Sequence, residues 1–490
     1  MILEPDTCYR AVKSRDARFD GRFFTAVKST GIFCRPVCPA TTPKQKNCRF
    51  MPSAAAAMAA GFRPCLRCRP EAAPGSPAWK GVTSTVARAM RLIGEGALDT
   101  GSVDDLALRL GVGERHLRRL FLEHVGAGPK TVAQTRRLLF AKKMISESDL
   151  PLTEIALVSG FQSIRRFNDA FVKVYNRPPR DVRRELKKQA GLGKDRNSIT
   201  LKLFYRPPYD WPSIIGFLQF RAIPGVEEAT AAGYRRSVVL GGKPGIIEIR
   251  PVLEKNYLAA KFELADLSHL QIAIETARRL FDLDSDSAAI DAQLRTDATL
   301  AGLITARPGL RVPGAWDAFE ISVRAILGQQ ISVSAAATFA RRLVEHFGTP
   351  LEGGPDETLK YLFPDPQALV DADIAIIGLT TRRAETIRHL AAAFEDGRVD
   401  LGAADGLDAA QEMLCRIPGI GPWTAQYIAM RAIGDPDAFP VGDIALLRAI
   451  NRRGEDHTAR TLAARAEDWR PWRAYAALHL WNDDTQGPQK

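Results

Sequence analysis

The chain has 490 residues, 46% hydrophobic and 25% charged, which is too long for one hydrophobic core and too apolar for a mainly disordered state, so about two to four domains are expected. Its formal charge of +12 favours a polyanionic partner, with nucleic acid the leading candidate, although many basic proteins bind none. No run reaches the ~18 apolar residues of a membrane span, and the first residues lack the basic start and apolar core of an export signal; a soluble, cytoplasmic, nucleoid-associated protein with no membrane partner is expected.

Six of the seven cysteines precede residue 70. Without an export signal, metal ligation is favoured over disulfides. Cys34-x3-Cys38 and Cys65-x2-Cys68 form two close thiol pairs, a spacing that lets two turns converge on one tetrahedral ion, and four thiolates suit Zn2+. On spacing alone, such an ion need only stabilise the fold. The surroundings, Ile32-Phe33-Cys34-Arg35-Pro36-Val37-Cys38-Pro39-Ala40 and Ala60-Gly61-Phe62-Arg63-Pro64-Cys65-Leu66-Arg67-Cys68-Arg69-Pro70, closely resemble the N-terminal domain of the Ada regulator. The resemblance implies that Cys34, Cys38, Cys65 and Cys68 hold zinc and that Cys34 accepts a methyl group from a DNA phosphotriester. Cys8 and Cys48 lie outside the motif. The chemistry is reasonable because zinc keeps thiolates deprotonated near neutral pH, and a thiolate is a soft nucleophile suited to a methyl carbon. The product is a thioether, so a single turnover is expected. Methylation also removes one negative charge from the site, so the methylated protein should bind DNA more tightly.

A first break falls at Pro74-Gly75-Ser76-Pro77, and the segment from about Val82 to Leu186 has helical periodicity with many arginines. It contains a repeat. Ala107 to Gly111 with Val112 recurs as Ala156 to Gly160 with Phe161, each followed by an apolar, arginine-studded helix ending near Phe121 or Phe171. A small residue lets two helices approach and the glycine permits the left-handed turn between them, as in a helix-turn-helix. Val103 through Phe121 and Leu152 through Phe171, with the exit Pro178-Pro179, Asp181 and Arg183-Arg184, resemble the tandem units of AraC-type regulators. The resemblance places Arg115, Arg118 and Arg119 of one unit, and Arg165 and Arg166 of the other, where recognition helices meet a major groove or its phosphates. Any single arginine could equally belong to a solvated helix face.

A second break runs from Lys187 to Ser198. Beyond it, Thr200-Leu201-Lys202-Leu203-Phe204-Tyr205 and Ile246-Ile247-Glu248-Ile249-Arg250 alternate with period two, predicting an antiparallel sheet. With the helical stretch Leu267 to Leu283, this makes an α+β domain ending near residue 290, after which the chain reads as helical.

Leu414-Cys415-Arg416-Ile417-Pro418-Gly419-Ile420-Gly421-Pro422-Trp423-Thr424-Ala425 is a helix-hairpin-helix signature, in which Pro418, Gly419, Ile420 and Gly421 form a tight turn open to a DNA phosphate. Alone it signifies only non-specific DNA binding. Gly442-Asp443, twenty residues beyond Trp423, matches the helix-hairpin-helix glycosylase superfamily. That resemblance makes Asp443 the catalytic carboxylate, which stabilises the oxocarbenium character of the deoxyribose as a flipped base departs. Bifunctional relatives place a Schiff-base lysine beside the second hairpin glycine, but Ile420 and Pro422 flank Gly421 here, so a monofunctional glycosylase is expected. Pro207-Pro208-Tyr209-Asp210-Trp211, Gly216-Phe217, Ala306-Arg307-Pro308-Gly309-Leu310-Arg311, Asp317-Ala318-Phe319-Glu320 and Arg324-Ala325-Ile326-Leu327-Gly328-Gln329 further resemble the AlkA type of 3-methyladenine DNA glycosylase II, from about residue 200 to the C-terminus. The resemblance puts Trp423, Tyr427, Trp481 and Phe217 around the base, where electron-rich rings suit a cation through cation–π stacking. Each ring alone would more readily be core packing. Gln330 stands where this type inserts a leucine wedge into the gap left by the flipped nucleotide; either Gln330 or Ile331 could fill that space.

The expected fold is thus multidomain and mainly α with α+β parts: a small four-cysteine zinc domain over 1–76, a tandem helix-turn-helix over 77–190, an antiparallel-sheet α+β domain over 199–290 and an all-helical helix-hairpin-helix glycosylase domain over 291–490. The expected function is alkylation repair with its regulation, through release of 3-methyladenine and 7-methylguanine from double-stranded DNA, with damaged duplex and promoter DNA as partners. RNA polymerase is a further expected partner, and a monomer the expected state. The alternative is a regulator whose glycosylase domain only binds DNA, which the retained Asp443 and aromatic set oppose. A zinc domain that merely folds the N-terminus and targets the glycosylase is a third reading, which the Phe-Cys-Arg-Pro context of Cys34 opposes. No Pro-Cys-His-Arg motif occurs, so reversal of O6-alkylguanine is not expected.

Overall fold

The computed structural model describes residues 4–75, 84–187, 198–351, 358–453 and 457–486. Ser76-Pro77 of the first break, and most of the second, therefore lie outside the described residues. The chain forms two compact units: Met1–Pro207 with Val252–Glu275 and Leu283–Ser285, and Pro208–Pro251 with Thr276–Asp282 and Asp286–Lys490. Among the described residues no helix is long and apolar enough to cross a membrane.

The first unit begins with helix Pro5–Ser14, whose Cys8, Ala11 and Val12 pack on Phe23. A four-stranded sheet follows in the order Cys48–Met51, Phe24–Val27, Ile32–Cys34, Arg63–Pro64. The first two pairings are antiparallel and the last is parallel, with Phe33 opposite Pro64. The four alanines Ala54–Ala57 of helix Ala54–Ala59 let it lie close against Phe24, Phe33 and Met51, and Ser53 caps it by accepting the Ala56 N–H at 3.0 Å.

Both helix-turn-helix units are built as the repeat predicts. Helix Val103–Arg109 starts in a capping box between Ser102 and Asp105 and turns through Gly111 at φ +71 into Glu114–His124. Helix Leu152–Val158 turns through Gly160 at φ +85 into Ile164–Tyr175, capped by Ser163. Leu106, Ala107, Leu117 and Phe121 bury one unit's seam, and Ile155, Ala156, Phe167 and Phe171 the other's. Helix Pro129–Glu147 joins them. Strands Ile199–Phe204 and Tyr257–Leu264 complete this unit as an antiparallel pair, Leu201 facing Ala260, with the alternating burial that period two demands.

In the second unit, strands Glu227–Thr230, Gly233–Leu240 and Lys243–Val252 form an antiparallel meander. The rest is helical, as expected, apart from a two-residue strand pair, Thr349–Pro350 with Tyr361–Leu362. Helices Ala318–Leu327, Val333–Phe347, Thr381–Glu395, Gly406–Cys415 and Pro422–Ile428 share one apolar core, while Ile444–Asn451 and Arg473–Gln486 enclose a second around Phe439 and Trp469. Arg324 bonds Glu227 and Glu320, and Arg236 bonds Glu320, at 2.5–2.9 Å in a buried network. Every charge in it has a partner, and removal of one would strand another in the interior.

Candidate active site and metal centre

Strand Ile32–Cys34 delivers Cys34, the turn after it Cys38, and the turn after Arg63–Pro64 delivers Cys65 and Cys68. The four sulfurs lie within 4.8 Å of one another, and none is in a disulfide. Cys65 and Cys68 are buried, Cys34 and Cys38 half-buried. The Arg35 amide donates to Cys68 Sγ at 3.3 Å, an N–H to sulfur bond that suits a thiolate ligand. This donor set fits Zn2+ bound by four thiolates. Buried Cys8 and half-buried Cys48 stand outside the cluster, as their place outside the motif implies.

Arg115, Arg118 and Arg119 are exposed on helix Glu114–His124, and Arg165 and Arg166 on Ile164–Tyr175. Arg118 pairs with Glu114 one turn back, and Arg119 Nη2 lies 3.1 Å from His116 Nδ1. Both helices thus present these guanidinium groups to solvent over a buried apolar seam.

The hairpin joins Gly406–Cys415 to Pro422–Ile428. Gly419 lies at φ +92, and a Cβ there would meet Thr386 Oγ1 at 2.0 Å, so only glycine fits. Gly421 caps the second helix in extended conformation with nothing within 4 Å of its Cβ position. Gln329 holds the turn from outside, its Nε2 donating at 3.1 Å to the Gly419 carbonyl and to Thr424 Oγ1. Gln330 is exposed at φ +55 between helices Ala318–Leu327 and Val333–Phe347, while Ile331 beside it is half-buried.

Asp443 is the N-cap of helix Ile444–Asn451. Its Oδ1 accepts the Leu446 N–H and the Trp481 indole N–H, and its Oδ2 the Trp423 indole N–H, all at 3.0 Å. Three donors fix the carboxylate in one orientation, half-buried among the rings. Trp423 stacks on Tyr427 with centroids 5.7 Å apart and planes 5° apart, and Trp481 lies 6.2 Å from Tyr427 at 59°. Phe217, from helix Trp211–Gln219, is half-buried and packs on the same second core as Trp481. Trp423, Tyr427, Trp481 and the Asp443 carboxylate therefore meet.

Two residues of this site were not anticipated. Arg221 places its guanidinium carbon 3.7 Å from the Phe217 ring centroid, and burial pushes this guanidinium down from its usual range although Tyr427 opposes the shift. Arg431 lies 4.8 Å from the Phe217 centroid and 5.7 Å from that of Tyr427, and its Nη1 donates to Tyr427 Oη at 2.9 Å. Burial pushes the Tyr427 phenol up, but Arg431 and then Arg221 outweigh it and leave it below its usual value. An arginine four places after each ring was the available sequence signal.

Four family models match: "Metal binding domain of Ada" over residues 7–71, "Helix-turn-helix domain" over 106–185, "AlkA N-terminal domain" over 200–317, and "HhH-GPD superfamily base excision DNA repair protein" over 323–474. The "DNA-3-methyladenine glycosylase 2" of Escherichia coli is 34% identical over 59% of this chain and 99% of its own length. A 3-methyladenine DNA-glycosylase structure from Archaeoglobus fulgidus superposes with a TM-score of 0.52 over 59% of this chain and 99% of its own, at 22% identity, which speaks to fold alone. The "Probable bifunctional transcriptional activator/DNA repair enzyme AlkA" of Mycobacterium tuberculosis is 40% identical over 97% of this chain and 96% of its own length. A four-cysteine metal centre, paired helix-turn-helix units and a helix-hairpin-helix aspartate site thus follow one another along a single chain, and this chain belongs to the family of bifunctional transcriptional activator/DNA repair enzymes of the AlkA type.

Proposed function

We propose that the protein repairs alkylated DNA and regulates that repair, acting as a monofunctional glycosylase on alkylated purines such as 3-methyladenine and 7-methylguanine. The observation that carries this reading is the Asp443 carboxylate, held by the indole N–H groups of Trp423 and Trp481 in an aromatic cluster that we read as the base pocket. A base flipped into that pocket brings its deoxyribose to the carboxylate. As the C1′–N bond breaks, its electron pair leaves with the base and C1′ gains positive character, which Asp443 stabilises. Water then bonds C1′ through oxygen and gives up a proton, leaving an abasic site. Gly419 and Gly421 bring backbone to a phosphate, and Gln330, exposed on a left-handed turn, is the proposed wedge.

In the N-terminal part, Cys34, Cys38, Cys65 and Cys68 would hold Zn2+, which supplies thiolates that stay deprotonated near neutral pH. Cys34 is the proposed methyl acceptor, and as a residue it is half-buried where Cys65 and Cys68 are buried. Arg115, Arg118, Arg119, Arg165 and Arg166 would engage promoter DNA, with RNA polymerase as protein partner, a monomer as the working state and the nucleoid as its site. We place the domain limits at 1–76, 77–190, 199–290 and 291–490.

The test is release of free base from duplex DNA carrying 3-methyladenine or 7-methylguanine by the full chain and by Asp443→Asn. Loss of about 10²–10³-fold in rate is expected, on the scale of removing a transition-state-stabilising group. Release by the variant at the wild-type rate would refute the role of Asp443, and release by neither protein would favour a DNA-binding regulator.

A further inference from the structure

Aromatic walls alone predict a pocket that prefers cationic bases. In this pocket two of the rings already carry cations. Arg431 sits on Ala429–Ile433, where the helix beginning at Pro422 widens by a π turn, and it is 5% exposed. Its Nη1 donates to Tyr427 Oη and its Nη2 to the Gly314 carbonyl, both at 2.9 Å. Among the described residues no carboxylate pairs with Arg431, whose other neighbours are the Phe217 and Tyr427 rings. Its Nε is buried without a hydrogen-bond partner among the described residues. Asp443 of the same site is engaged instead by two indole N–H groups and the Leu446 amide. A second guanidinium, Arg221, presses on Phe217.

We infer that Arg431 is a specificity-determining residue, which biases the base pocket against positively charged bases and towards neutral lesion bases of the same size. The inference rests on the base-pocket reading above. At any point along the reaction a cationic lesion carries one more unit of charge on its base than a neutral one, because the departing electron pair turns the first neutral and the second negative. The ratio of the two kcat/KM values therefore reads the pocket's potential directly, whatever the position of the transition state. In a site shielded from water, one like charge a few ångströms away is worth about tenfold or more.

The experiment uses the full chain as wild type, Arg431→Met and Arg431→Lys. Each acts on duplexes carrying 7-methylguanine, whose base is cationic, or hypoxanthine, whose base is neutral. Arg431→Met is expected to raise the 7-methylguanine to hypoxanthine ratio about tenfold. Arg431→Lys, which keeps the charge, should hold the ratio near wild type even where both rates fall. A purely structural role would lower both rates together and leave the ratio unmoved in both variants, and that result overturns the inference. Wild type that releases 7-methylguanine but no hypoxanthine overturns it as well while leaving the repair function standing. Release of neither base removes the function and this inference with it.

Discussion

Asp443 owes its orientation to two indoles from distant parts of the chain. Trp423 holds Oδ2 from the hairpin helix, and Trp481 holds Oδ1 from helix Arg473–Gln486. Trp481→Phe keeps an aromatic wall but deletes one donor to the carboxylate, and a hydrogen bond to a charged group is worth about 1.5–3 kcal/mol. Base release should therefore fall at least about tenfold with the melting temperature nearly unchanged, because Leu446 and Trp423 still hold the carboxylate. Unaltered single-turnover release by Trp481→Phe would show that the indole N–H does not position Asp443. The aspartate and its rings were legible because short motifs fix them locally: the hairpin names Trp423 and Tyr427, and Gly442-Asp443 follows at a set distance. The donation of both indole protons to one carboxylate was not legible, nor were Arg221 and Arg431. Those contacts depend on how Phe217, Tyr427 and Trp481 converge from three separate helices, which no local spacing encodes.

Among the elements, the hairpin turn separates two roles that glycine plays. Gly419 must be glycine for conformation and for space, since its φ is +92 and Thr386 occupies the place of a Cβ. Gly421 has an allowed extended backbone at φ −96 and open space beside it. Gly419→Ala should therefore destabilise the second unit by at least about 1–2 kcal/mol in denaturant unfolding, the cost of a left-handed alanine before any clash. Gly421→Ala should cost less than about 0.5 kcal/mol but weaken binding to undamaged duplex, because the added methyl stands where backbone would approach a phosphate. Equal stability of the two variants would mean that neither the left-handed turn nor Thr386 demands glycine at position 419. The same contrast explains what the sequence revealed of the elements. Helix pairs with a glycine turn are local, so both helix-turn-helix units and the hairpin could be read directly. The parallel pairing of Ile32–Cys34 with Arg63–Pro64, and the strand pair Thr349–Pro350 with Tyr361–Leu362, consist of two or three residues each, too few to show any period, and arise from packing alone.

Across the first unit, the metal-ligand loop is tied to much more than its own sheet. Arg35, whose amide meets Cys68 Sγ, sends its guanidinium to the Asp20 carboxylate at 2.9 and 3.1 Å and to the Cys68 carbonyl at 3.2 Å, with its carbon 5.3 Å from the Phe204 ring centroid. Arg206, fully buried, donates to the Asp20 carbonyl at 3.2 Å and the Gly75 carbonyl at 2.6 Å, and also to the Asp284 carbonyl. Arg69, directly after Cys68, pairs with Glu147 at 2.6 Å, and buried Lys142 pairs with Glu71. The loop that ends in Cys68 is thus tied to helix Pro129–Glu147 on one side and to strand Ile199–Phe204 on the other. Without their ion the four sulfurs take up protons and lose the bonds that hold the two turns together, so removal of zinc should loosen the loop and strain each of these buried pairs. Chelation of zinc from the full chain, followed by amide hydrogen exchange, should therefore raise exchange in Ile32–Cys34 and also in Pro129–Glu147 and Ile199–Phe204. Faster exchange confined to residues 4–75 would mean that the metal centre folds its own segment and passes nothing on. The predicted spread would instead make the metal centre a structural keystone for both the DNA-binding helices and the first strand of the glycosylase half.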